Sequence, residues 1–139
     1  MKILEKLEKR WQNIEYPFLI HESGDLRFSE IANQKPVDLS NVRSGDVVAV
    51  IGDFEPQSIL TLLNLIDKNT IIVPLTVETK SEHEYFFESA LVDVVIEGDS
   101  VKRLNHNLTH KFIEQLRKQN HAGLVLFSTG TTGRPKAIL

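Results

Sequence analysis

Nine consecutive residues near the end of the chain, Ser128-Thr129-Gly130-Thr131-Thr132-Gly133-Arg134-Pro135-Lys136, combine the groups needed to hold a polyanion. Hydroxyls on Ser128, Thr129, Thr131 and Thr132 can donate to phosphate oxygens or reach a metal. Gly130 and Gly133 allow positive φ and let a ligand approach the main chain. Successive N–H groups in such a loop can form a concave nest for an anion. Lys136 adds a mobile point charge and Arg134 a planar fork. Pro135 fixes its own φ and biases Arg134 towards extended geometry, so the chain should leave the loop as a strand.

The string is not a Walker A loop, which needs G-x-x-x-x-G-K-[ST] opening a helix. Here Lys136 follows a proline and leads into the apolar Ala137-Ile138-Leu139. Leu124 to Phe127 form an apolar run before the loop, so the whole stretch reads as strand, loop, strand. A plain surface hairpin needs only two to five loop residues and no lysine after a proline.

The elements that position this loop are legible in chain order. Ile3, Leu4, Leu7, Trp11 and Ile14 recur at helical spacing, predicting an amphipathic helix over 2–14 with Trp11 as packing. Phe18-Leu19-Ile20 begins a strand, Ser23-Gly24-Asp25 turns, and Leu26-Arg27-Phe28 resumes extended structure. Ser29 is expected to cap a short helix containing Ile31, and residues 33–45 read as a connection. Asp46–Ile51 is a β-branched run suited to burial on both faces. Pro56 opens a largely buried helix that Asn69 ends in the left-handed conformation, and Thr70–Leu75 is the next strand. Strand, helix, strand at this spacing is a βαβ unit with a right-handed crossover.

Ser81 and Glu84 match a capping box for a helix reaching about Leu91. Val92–Ile96 is a third parallel strand, Val101–His106 is ambiguous, and Lys111–Gln119 is an amphipathic helix. Val125–Phe127 is then the fourth parallel strand, carrying the loop at its carboxyl end. The expected class is α/β, a mostly parallel sheet with helices on both faces. In such sheets ligands bind beyond the carboxyl ends of the strands.

Composition narrows the function classes. At 139 residues, with 41% hydrophobic and 25% charged residues, the chain is an ordinary globular domain with a sizeable core. A net charge of −3 favours neither nucleic acid nor anionic membrane. The absence of cysteine removes disulfides and thiolate chemistry. No apolar run reaches membrane-spanning length and the N-terminus lacks a signal-peptide core, so a cytoplasmic setting is expected. The five histidines show no metal-ligand spacing and read as surface or internally satisfied groups, and no metal site is expected among the side chains.

The stretch 128–136 resembles the phosphate-binding signature of the acyl-adenylate-forming (AMP-binding) superfamily, which includes acyl-CoA synthetases, peptide-synthetase adenylation domains and luciferases. Asp25–Ile31, Ser44–Val50 and Ile72–Leu75 are similar to earlier stretches of that family. Lys68-Asn69 stands where the family usually has Ala-Gly, and Ala137 where glycine is frequent.

The resemblance implies that residues 1–139 are the N-terminal portion of the large domain of a longer AMP-forming ligase. The implied chemistry joins a small-molecule carboxylic acid to ATP, with Mg²⁺, and passes the acyl group to coenzyme A or a phosphopantetheine thiol. Ser128, Thr129, Gly130, Thr131, Thr132, Gly133 and Lys136 would bind the phosphates, with Thr131 and Lys136 in the catalytic role. The segment alone is expected to fold, to be inactive, and to self-associate through surface that the rest of the parent chain covers. The alternative reading is a non-catalytic nucleotide- or anion-binding α/β module complete at 139 residues. A reading frame continuing for hundreds of codons would favour the ligase.

Overall fold

In the computed structural model, residues 2–128 and 133–139 are described. In chain order the elements are α1 (Ile3–Trp11), β1 (Leu19–His21), β2 (Gly24–Leu26), α2 (Phe28–Ala32), β3 (Val47–Ile51), α3 (Pro56–Asp67) and β4 (Ile71–Leu75). A 3-10 segment (Val77–Glu82) then leads into α4 (His83–Ser89), β5 (Val94–Glu97), β6 (Ser100–Arg103) and α5 (Lys111–Gln119). The chain ends in β7 (Gly123–Leu124), β8 (Leu126–Phe127) and β9 (Ala137–Ile138).

The main sheet has the order β6-β5-β3-β4-β7. β5, β3, β4 and β7 run parallel, while β6 is an antiparallel edge. β3 is buried at all five positions, as expected of a β-branched run at the centre of a parallel sheet. Alternation along the strands divides the core in two. Val47, Ala49, Ile51, Ile71 and Val73 pack with Phe86 of α4 and Ile113 of α5 on one face. Val48, Val50, Ile72, Val94 and Ile96 pack with Leu65 of α3 on the other. Helices therefore cover both faces.

α3 begins with Pro56 at its first turn, where the missing N–H costs nothing. Asn69 follows its end at φ +57°. The Asp67 carboxylate accepts from the free N–H groups of Ile3 (2.6 Å) and Leu4 (3.3 Å), tying the start of α1 to the end of α3.

Three expectations are corrected and one open stretch is resolved. The turn after Leu26 leads directly into α2 at Phe28, not at a Ser29 cap. Phe28 is buried edge-on against Phe18, and Glu30 reaches back to the Arg27 N–H at 3.4 Å. The Ser81–Glu84 capping box does not form: Glu82 is the N-cap of α4 and makes no side-chain cap bond. The buried His83 ring, 2.9 Å from the Thr76 carbonyl and 3.1 Å from the Thr79 hydroxyl, draws the preceding segment into a 3-10 helix instead. The ambiguous stretch after Asp99 supplies β6, a hairpin partner of β5.

The last correction bears on the site. The fourth parallel strand is Gly123–Leu124, and its last ladder bond runs from the Val125 N–H to the Ile72 carbonyl at 2.8 Å. The next bond on that side of β4 would come from residue 74. Pro74 has no N–H, so the ladder stops and the chain leaves the sheet. β8 then pairs antiparallel with β9, Leu126 opposite Ile138 and Phe127 opposite Ala137. The strand–loop–strand reading of the C-terminal stretch thus holds as a separate hairpin. α5 crosses closely above the start of β7, where a Cβ on Gly123 would come within 2.5 Å of Leu116 Cδ1.

Candidate functional site

The hairpin β8–β9 carries the loop. Its ladder continues one pair beyond Phe127–Ala137. The Ser128 N–H donates to the Lys136 carbonyl at 2.9 Å, and the Lys136 N–H donates to Ser128 Oγ at 3.1 Å. Ser128 and Lys136 are therefore opposite one another and share a face, because directly paired residues of an antiparallel ladder point the same way. Gly133 has φ +80°, a conformation an L side chain would strain. Thr129, Gly130, Thr131 and Thr132, also expected in the site, lie outside the described residues.

The two faces of the hairpin have different surroundings. Phe127 points into the core shared by α4 and α5, its ring centroid 4.2 Å from that of Phe86. Leu126, Ser128 and Lys136 alternate to the other face. There Leu126 borders a cavity of about 230 Å³ with Gly52, Phe54, Pro74 and Leu75. This cavity lies beyond the carboxyl ends of β3 and β4. β3 continues into α3 on one face of the sheet, whereas β4 continues towards α4 on the other. Adjacent strands whose connections part in this way form the switch point where α/β sheets bind ligands.

Two cations stand on the described part of the hairpin. Lys136 is exposed, and among the described residues it has no ion-pair partner. Arg134 is differently placed. Its guanidinium lies over the Tyr85 ring, 4.4 Å from the centroid, beside Glu82, Glu84 and Glu88 of the α4 region. The Tyr85 hydroxyl donates to the Pro135 carbonyl at 2.9 Å. The reading from sequence missed Tyr85 because fifty positions separate it from Pro135. The available signal was its place in the helix that follows β4, on the side of the sheet where the loop also emerges.

Glu55 precedes α3 and bonds to Ser58, one of the residues that line this cavity. Its Oε2 accepts from the Asp53 N–H (2.9 Å) and from the Ser58 hydroxyl (2.7 Å). Burial is the largest single influence and pushes its carboxyl upward, but the bonds from Ser58 and Asp53 together outweigh it and hold the group below the ordinary range.

The other candidate groups are committed locally. His110 accepts from the Phe112 N–H and caps α5, while His21 sits 2.7 Å from the Ser23 hydroxyl. Trp11 packs edge-on against Phe18 at 5.1 Å. Among the described residues no helix is long and apolar enough to cross a membrane.

No family model and no curated protein matches the chain. Solved structures do. The N-terminal subdomain of NpsA from Klebsiella oxytoca is similar over 98% of this chain and 38% of its own length, at 18% identity and a TM-score of 0.64. The o-succinylbenzoate coenzyme A synthetase MenE from Bacillus subtilis, solved in complex with AMP, is similar over 97% of this chain and 40% of its own, at 16% identity and a TM-score of 0.61. VinN, solved in complex with L-aspartate, is similar over 97% of this chain and 45% of its own, at 17% identity and a TM-score of 0.61. The chain thus spans less than half of each. A further structure of NpsA is an artificially fused adenylation–PCP di-domain. The chain therefore carries the mostly parallel α/β fold found in the N-terminal subdomain of adenylation enzymes.

Proposed function

We propose that the chain is the N-terminal part of the adenylation domain of an AMP-forming ligase, and that the 128–136 loop holds the phosphates of ATP. The observation that carries this reading is the Ser128–Lys136 pair. It sets a hydroxyl and an ammonium that has no ion-pair partner among the described residues on the hairpin face shared with Leu126, which lines the cavity at the switch point.

In the parent enzyme a carboxylate oxygen attacks the α-phosphorus of ATP. The bond to the bridging oxygen breaks, its electron pair leaves with pyrophosphate, and an acyl-adenylate forms. A thiol of coenzyme A or a phosphopantetheine arm then attacks the acyl carbon and expels AMP, the thiol proton passing to solvent. The attacking carboxylate is already ionised, so the first step needs no general base. What it needs is a held polyanion and stabilisation of the charge growing on the leaving group.

Lys136 supplies that charge, and the hydroxyls of Ser128, Thr131 and Thr132 with the amides around Gly130 and Gly133 supply donors. Among the described residues no group of three or more His, Asp or Glu side chains could hold a metal. Mg²⁺ held with the phosphates, within reach of the loop hydroxyls, would neutralise part of the pyrophosphate charge. The exposed Leu124, Leu126 and Ile138 beside the hairpin are the surface that the rest of the parent chain covers. A cytoplasmic setting belongs to the same reading.

Lys136→Ala in the full-length parent tests this. ATP–pyrophosphate exchange with the cognate acid should slow by about one to three orders of magnitude, the range for loss of one electrostatic stabiliser. A wild-type exchange rate would sink the phosphate-loop reading.

A further inference from the structure

We propose that Tyr85 is a positioning residue for the phosphate loop, and that Arg134 is part of this anchor rather than a phosphate ligand. The inference rests on the loop function proposed above.

Three observations carry it. First, Tyr85 stands on a fixed element. Its neighbour Phe86 is 4% exposed and packs in the core with Val47, Ile71 and Phe127. Second, the Tyr85 hydroxyl donates to the Pro135 carbonyl at 2.9 Å, one residue before Lys136. Third, the same ring carries the Arg134 guanidinium at 4.4 Å, and Glu82, Glu84 and Glu88 around it favour the cation there.

The returning arm of the loop is thereby held from two sides. α4 grips Arg134 and Pro135, and β8 grips the Lys136 backbone through Ser128. A lysine side chain is long and flexible, so the placement of its ammonium depends on where its Cα is fixed. An aromatic hydroxyl on a packed helix fixes it without occupying the ligand face. The two cations of the sequence string are divided: Lys136 faces the switch point, and Arg134 is drawn to the acidic rim of α4.

Tyr85→Phe removes the hydroxyl but keeps the ring. In the full-length protein, hydrogen exchange of the amides within 133–138 should quicken by about fivefold, the size expected for one part-buried hydrogen bond. The melting temperature should stay near that of the wild type. In ATP–pyrophosphate exchange, kcat should fall about fivefold while KM for the acid is unchanged. Arg134→Gln, at an exposed position, should act in the same direction, and the double variant should lose less than the product of the two.

Unchanged hydrogen exchange in both variants would overturn the proposal. So would a kcat loss in Arg134→Gln that is independent of the residue at position 85, which would make Arg134 a phosphate ligand in its own right. Wild-type turnover in Tyr85→Phe beside a collapse in Lys136→Ala would reject the anchor and leave the loop function standing. Wild-type turnover in Lys136→Ala would reject the loop function, and the hydrogen-exchange result would then decide the anchor alone.

Discussion

At the edge of the sheet where β3 and β5 begin, polar side chains are tied to one another, whereas at the edge where β3 and β4 finish, apolar side chains and a lysine face solvent. At the first edge Asp93 accepts from the Val47 N–H at 2.8 Å, and Arg117 lies 3.3 Å from the same oxygen. His106 Nε2 sits 2.9 Å from the other oxygen, outside hydrogen-bond alignment. Arg103 pairs with Asp46 at 2.5 Å, and Arg117 Nε donates to the Gly45 carbonyl at 2.9 Å. Gly45 itself takes φ +85°, and a Cβ there would meet Arg117 Cγ at 3.0 Å. At the second edge Phe54 is 64% exposed and Leu126 50%; both line the cavity, and Leu126 shares its hairpin face with Ser128 and Lys136.

The contrast teaches where the chain has spent its polar groups. Charges at the strand amino ends satisfy backbone groups and one another, so they stabilise the fold and have little left for a ligand. At the carboxyl ends Glu55 and Arg134 are held as well, but Lys136 is exposed and, among the described residues, has no ion-pair partner.

Three substitutions can break or sharpen this contrast. Asp93→Ala should have the largest effect on stability, about 2–4 kcal/mol, because it leaves the Val47 ladder N–H without its acceptor and removes the carboxylate that pairs with Arg117. Denaturant unfolding measures it. A loss below about 1 kcal/mol would mean the amino-terminal edge is not the tied one.

Phe54→Gly should act the other way. Phe54 holds φ +62°, which costs an L residue about 1–2 kcal/mol. Glycine removes that strain but gains freedom in the unfolded chain worth about 0.4–1 kcal/mol. The variant should be as stable as the wild type or more stable by up to about 1 kcal/mol. A clear loss would show that the ring packs as core and that the carboxyl-terminal edge is less open than its exposure indicates.

The smallest effect is expected of Glu55→Gln, and it depends on pH. The folded-state carboxyl is held below its ordinary range, so its contribution is present above the unfolded-state value and disappears as pH falls through the folded one. Wild type should therefore lose more stability than Glu55→Gln between roughly pH 5 and pH 3. Parallel acid titrations of the two would remove Glu55 as a clamp on the 52–58 turn.

The centre of the sheet was legible because its signals are local. Val47–Ile51 is β-branched throughout, Pro56 and Asn69 punctuate α3, and α5 has the bounds that its periodicity predicts. The hairpin at the end of the chain was legible because an apolar run stands on either side of the small-residue string. What escaped depends on partners far along the chain. The hairpin departs from the sheet because of Pro74, which was visible in its own strand but acts on a neighbour fifty residues on. The Ser81 cap loses to His83, whose ring finds the Thr76 carbonyl. Arg134 stands in the same string as Lys136, and nothing local to it indicates that its guanidinium lies over Tyr85.

The central claim is that the Lys136 face of the hairpin meets the phosphates of ATP. An acyl-phosphate derivative of ATP, whose acyl group transfers to an amine lying beside the terminal phosphate, tests it without knowledge of the acid substrate. In the full-length protein, peptide mapping should find Lys136 modified faster than the exposed Lys2 and Lys6, with excess ATP and Mg²⁺ suppressing the reaction at Lys136 alone. Modification of Lys136 at the rate of those helix lysines, unaffected by ATP, would contradict the account.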